Sequence, residues 1–202
     1  MKKAVLILVA LLFSFSSNAQ GVQLGPKAGV NLSTFSGDET DDLSSKFGIH
    51  FGVVAEFGIS ETFSVQPEVI YSAQGAEYEE SEGYDGKFKF NYLNVPVLAK
   101  VEVTDGLHLE AGPQIGFLLT AEDEYDDGAG DSGTDDIKEF FKGTDFAVAV
   151  GASYKMASGL FFGARYNIGV TDIWDVDSGI SNQTSVFQFS LGYLFNLAGN
   201  SN

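Results

Sequence analysis

Apolar and polar residues alternate one for one over much of this chain. In FGIHFGVVAEFGIS (47–60), Phe47, Ile49, Phe51, Val53, Ala55, Phe57 and Ile59 hold one parity, and Gly48, His50, Gly52, Val54, Glu56, Gly58 and Ser60 the other. A period of two marks a strand with two unlike faces. The pattern recurs at 23–33, 63–73, 92–103, 107–119, 145–155, 160–170 and 185–197. These runs predict eight strands of about 9–13 residues, the length that a tilted membrane strand needs. Their connections alternate as well. Residues 60–62, 104–106 and 156–159 read as tight turns, whereas 35–46, 76–91, 120–144 and 171–184 are long and polar. Such an order predicts an up-and-down antiparallel barrel with one plain rim and one elaborated rim.

The volumes decide which face is inside. An eight-stranded barrel encloses barely enough space for side chains. Roughly forty bulky groups pointed inward would not fit, and no helical segment supplies a second layer to cover them. With the faces inverted, the small and polar residues fill the lumen and the apolar belt meets lipid. Tyr71, Tyr92, Tyr154, Tyr166 and Tyr193 are then expected on the outward face, at or near the membrane interfaces. Closure satisfies every backbone hydrogen bond in a medium that offers none. The fold class expected is therefore all-β, an eight-stranded transmembrane β-barrel with short periplasmic turns and long acidic extracellular loops.

The first nineteen residues read as a cleaved secretory signal peptide. Lys2 and Lys3 precede an apolar run from Ala4 to Phe15, and Ser17-Asn18-Ala19 is a small-x-small cleavage site, with Gln20 first in the mature chain. Residues 20–202 are expected to form one barrel domain. Without Lys2 and Lys3, nine basic residues face 28 acidic ones, which excludes nucleic acid as a natural partner. There is no cysteine, so neither disulfides nor thiolate metal sites are available.

The inward parity carries six charges: Lys27, Glu56, Glu68, Lys100, Glu110 and Arg165. Each lies a few residues above the short-turn rim, so they are expected to form one buried ion-pair network across the lumen, because charges in so narrow a space must be paired. Such a network leaves no open pore. Of the two histidines, His108 sits beside a short turn and His50 points inward near the opposite end, with Asp145 at a similar height. Neither supplies a rim-facing nucleophile–base pair, so no catalytic site is expected.

The acidic segments GDETDD (37–42), EYEESEGYD (77–85) and AEDEYDDGAGDSGTDD (121–136) read as solvated, mutually repelling loops. Asp123, Asp127 and Gly128 fall at EF-hand-like offsets. Tyr125 and Thr134 stand where ligands belong, so no metal or cofactor is expected. In DIKEFFKG (136–143), Ile137, Phe140 and Phe141 are spaced for a short helix or turn capping the barrel mouth. Trp174 is expected to anchor the fourth loop at the membrane interface. The last strand offers Ser190, Gly192, Phe195 and Leu197 in the polar-x-Gly-x-x-aromatic-x-hydrophobic form of a C-terminal signal for the barrel-insertion machinery, followed by Ala198 to Asn202.

The segments NYLNVPVLAK (91–100), EAGPQIGFLLT (110–120), FKGTDFAVAVGASY (141–154) and GARYNIGVTDI (163–173) resemble the PorT-type outer-membrane β-barrel domain of Gram-negative bacteria. The resemblance spans essentially the whole mature chain. It implies an eight-stranded barrel of OmpA or OmpX shape in the outer membrane with its loops outside, and the namesake branch is linked to type IX protein secretion. The reading that follows is a non-enzymatic barrel, monomeric, with a structural or interaction role at the cell envelope. Its partners would be the lipid bilayer, the insertion machinery, and an envelope or secretion protein. A component of a secretion apparatus is the alternative, and a small porin a further one that the lumen charges argue against.

Overall fold

The computed structural model describes residues 21–80, 84–126, 132–175 and 179–197. The expected signal peptide with Ala19 and Gln20, the Asp127–Gly128 pair and the tail after Leu197 lie outside the described residues. In chain order the strands are β1 (Gly21–Gly37), β2 (Leu43–Gly58), β3 (Phe63–Glu80), β4 (Tyr84–Thr104), β5 (Leu107–Asp126), β6 (Ser132–Asp136), β7 (Thr144–Lys155), β8 (Leu160–Gly169), β9 (Asn182–Tyr193) and β10 (Phe195–Asn196). A 3₁₀ turn at Lys138–Phe140 lies between β6 and β7.

The eight long strands pair antiparallel with their sequence neighbours, β5 passing directly to β7. Strand β9 returns to β1, from Lys27 opposite Gly192 to Gly37 opposite Asn182, and so closes the ring. The short β10 continues the last strand past Leu194 and pairs with Gln23 and Leu24. Alternation does what the volumes require. Phe47, Ile49, Phe51 and Val53 of β2 are more than half exposed on the outside, whereas His50 and Glu56 of the same strand are buried inside. Outward Leu109, Phe162, Phe189 and Leu191 extend the belt around the ring.

Tight backbone approach sets where glycine is required. The turns before β5 and β8 hold Gly106 at φ +76° and Gly159 at φ +94°, left-handed conformations that other residues adopt only under strain. On the inner wall, a Cβ at Gly29 would sit 2.0 Å from the Phe189 carbonyl oxygen and 2.7 Å from the His50 ring.

Three expectations change. The segments 76–91 and 120–136 are largely paired strand rather than loose loop: β3 pairs with β4 out to Glu80 opposite Tyr84, and β5 pairs with β6 from Glu122 to Asp126. Backbone pairing continues past the belt because lysines offset part of the acid, Lys87 pairing with Glu77 at 3.5 Å and Lys89 with Glu124. Tyr92 faces inward and is 2% exposed, not outward. It shares the parity of Asn94 and Lys100, both inward. Opposite it, Leu119 is an extra residue in β5: Asn91 faces Thr120 while Tyr92 faces Leu118. That bulge turns both Leu118 and Ala121 inward. Finally, the lumen is not uniformly small and polar, because Val54, Phe161 and Leu194 form an apolar trio inside it.

Candidate functional site

The six inward charges come from six strands, β1, β2, β3, β4, β5 and β8, and meet at the axis. Arg165 reaches across from β8. Its Nη1 and Nη2 donate to Glu68 Oε2 and Oε1 at 2.9 and 2.8 Å, and its Nε donates to Glu110 Oε1 at 2.9 Å. This two-pronged geometry suits a planar guanidinium. Lys27 Nζ donates to Glu68 Oε2 at 3.1 Å. Lys100 Nζ donates to Glu56 Oε2 at 2.6 Å and to Gln66 Oε1 at 2.8 Å. Gln66 then donates to Glu68 Oε1 at 2.6 Å, which links the two groups of charges.

The alternation had not singled out two members of this cluster. Lys155, at the end of β7, pairs with Glu56 and donates to Gln23 Oε1 at 3.1 Å. It shares parity with buried Ser153, so its inward direction was there to be read; its place beside a turn obscured it. Gln66 carries no charge, and it bridges by donating to Glu68 on its own strand while accepting from Lys100 on the neighbouring β4. Three carboxylates thus face four cations. Arg165, Glu68 and Lys100 are all at most 4% exposed. Ions this deeply desolvated must be paired.

Toward the long-loop end lies an uncharged layer. His50 Nδ1 lies 2.8 Å from Asn31 Oδ1 and its Nε2 2.9 Å from Ser190 Oγ. Asn31 uses its Nδ2 to donate to Ser72 Oγ at 2.9 Å and to the Ala73 carbonyl at 2.9 Å. Its Oδ1 also accepts from Gln188 at 3.1 Å. An amide oxygen only accepts, so His50 carries its proton on Nδ1 and accepts the Ser190 hydroxyl at Nε2. The spacing is that of a nucleophile–base pair, yet both residues are buried, His50 fully so. Ser190, expected within an insertion signal, faces this layer. Gly192 is also inward, while Phe195 and Leu197 project outward and are more than half exposed. His108 is buried at the short-turn end, with Nδ1 3.0 Å from the Gly106 carbonyl. Asn94 Nδ2 on β4 and both amide atoms of Asn167 on β8 have no hydrogen-bond partner among the described residues.

The mouth is closed by aromatic packing. Phe90 lies at the centre, edge-on to Phe35 at 5.2 Å and to Phe141 at 4.8 Å, and Phe141 stacks on Trp174 at 4.6 Å. Tyr92, Leu118 and Ile173, with Ala76 and Ala121, complete the cluster. Residues 136–143 therefore do cap the mouth, but by a single 3₁₀ turn that inserts Phe141 and leaves Phe140 42% exposed. Trp174 turns into the cap instead of anchoring in lipid, since its Nε1 donates to Asn182 Oδ1 at 2.7 Å. Below the cap, Asp145 accepts hydroxyl protons from Thr171 at 3.0 Å and Thr184 at 2.7 Å. Lys142 clasps the fourth loop, donating to the Asp172 carbonyl at 3.0 Å. Burial pushes the Asp172 carboxyl up, but the Asn182 and Trp174 amides and the Lys142 ammonium together hold it below the usual carboxylate range.

The hairpin acids have partners of their own. Asp123 accepts from Tyr78 Oη at 2.9 Å, and burial nonetheless raises its pKa. Among the described residues no group of three or more acidic or histidine side chains converges to hold a metal ion. Asp127 and Gly128 of the EF-hand-like offsets lie outside them.

A family model described as outer membrane protein beta-barrel domain matches residues 15–175. No curated protein matches the chain. Among solved structures, the attachment invasion locus protein Ail of Yersinia pestis is 16% identical with a TM-score of 0.52, covering 87% of this chain and 99% of its own. Neisserial surface protein A is 12% identical with a TM-score of 0.53, covering 87% and 100%. At such identities the likeness is one of fold.

Proposed function

Because the chain belongs to the outer membrane protein β-barrel domain family, we propose that it is a non-enzymatic outer-membrane barrel that conducts no solute and acts at the cell envelope through its long-loop end. In this reading the short turns face the periplasm and the hairpins and mouth face outward. The filled lumen carries it. The Arg165–Glu68–Lys27 cluster and the Lys100–Glu56–Lys155 cluster block the axis, and the Phe90–Phe141–Trp174 cap closes one end. A barrel plugged at two levels is a wall, and the surface it displays is what remains to act.

Single-channel recording in planar bilayers tests this. The purified chain should give no stepwise currents, and regular conductance steps would establish a porin instead. The PorT-type segments carry a narrower expectation, a part in protein secretion. Deleting the gene and comparing secreted proteins tests that separately, and an unchanged secretome removes it.

A further inference from the structure

The mouth is not packed flush. Between the cap and the β1–β2 connection lies a cavity of about 160 Å³. Water occupies ~30 Å³ per molecule in the liquid, so this space accepts one branched aliphatic side chain. Its walls are Phe35, Leu43, Phe88, Phe141, Ile173 and Trp174, all members of the mouth's apolar cluster or packed against it. Its rim is of opposite character. Asp38 and Glu39 line the opening, and exposed Asp41 and Asp42 follow in the same connection. Asp38 Oδ2 accepts the Ser181 amide at 3.0 Å. Glu39, Asp41 and Asp42 form no ion pair among the described residues. Glu39 is also the one non-glycine described residue with positive φ, at +53°, a conformation that costs energy and is held by the turn around it.

An apolar slot bordered by the carboxylates of the β1–β2 connection selects by two criteria at once. The slot favours an aliphatic or aromatic group, and the acidic edge favours positive charge close beside it. An anionic amphiphile is repelled by the rim, and a purely polar cation gains nothing from the slot. We propose that this cavity is a docking site for a cationic peptide segment, an apolar side chain flanked by lysine or arginine, presented by a protein partner. The inference rests on the long-loop end being the displayed end, as proposed above.

Trp174 makes the site readable, because it is the only tryptophan in the chain and forms part of the cavity wall. The full chain in zwitterionic nanodiscs is titrated with acetyl-Lys-Lys-Leu-Lys-Lys-amide, with the same peptide carrying glycine in place of leucine, and with acetyl-Glu-Glu-Leu-Glu-Glu-amide. Empty nanodiscs provide the lipid background. The Lys–Leu peptide should change Trp174 emission saturably. The glycine peptide should bind at least about fivefold more weakly, and Glu39→Lys should weaken the Lys–Leu peptide about fivefold, the scale of an exposed charge contact. Added salt should weaken it too. Equal binding of the leucine and glycine peptides would reduce the effect to a diffuse acidic surface and overturn the proposal. So would binding of the acidic peptide, indifference to Glu39→Lys, or no saturable change at all. Failure here leaves the plugged-barrel reading standing, because that reading is decided by conductance.

Discussion

Arg165 and Asn167 lie two positions apart on β8, both inward and both buried, yet their side chains meet opposite circumstances. Arg165 binds two carboxylates with three of its nitrogens, and removing it strands Glu68 and Glu110 in a desolvated lumen. Asn167 has neither its donor nor its acceptor matched by the described residues. Urea titration in detergent should therefore separate two variants. Arg165→Met should lose about 3–5 kcal/mol, the cost of breaking a buried ion pair from one side. Asn167→Leu, of similar size, should be neutral or gain up to about 1–3 kcal/mol, because an unpaired buried amide is itself a penalty. Parity alone marks both residues as inward. It does not distinguish them, since whether a polar group finds a partner depends on strands far away in sequence.

Among the elements, the fourth loop shows how a connection is held without regular structure. The Asp172 carboxylate takes the amides of Asn182 and Trp174, at 3.0 and 3.5 Å, while Lys142 comes from the capping segment to meet it. Its depressed pKa fixes the sign of the pH dependence. A carboxyl that is more acidic folded than unfolded contributes stability above its unfolded value, and that contribution fades as pH falls through the lower folded value. Trp174 emission should stay constant from neutral pH down to about 4, the ordinary aspartate value, and shift only below it. In Asp172→Ala the emission should already be shifted at pH 7 and stay flat on acidification. A transition well above pH 4 in the parent would contradict this clasp. The hairpins teach a related lesson. The charge runs in 76–91 and 120–136 looked like free loops because local acidity was all that could be read there. The cross-strand lysines and the Tyr78–Asp123 hydrogen bond that order them come from pairing.

For the molecule as a whole, closure removes almost every free backbone edge, since β9 returns to β1 along eleven residue pairs. A ring without edges offers no strand for a second copy to extend. Sedimentation in density-matched detergent should therefore give one chain per micelle, and a stable dimer would point to an interface on the belt or the hairpins. The strand count, the outward belt and the six lumen charges were legible in the sequence because a period of two maps directly onto two faces, and an eight-stranded ring has room for only one of them inside. That same constraint determined, before any coordinates, that the greasy face had to meet lipid. Only the tertiary structure decided that Gln66 and Lys155 complete the ion-pair network, that a bulge at Leu119 turns both Leu118 and Ala121 into the lumen, and that Phe141 and Trp174 form a cap with an acid-rimmed slot. Each of these depends on which residues come level with one another, on neighbouring strands or across the axis, a matter of register, tilt and stagger that alternation along one strand does not encode.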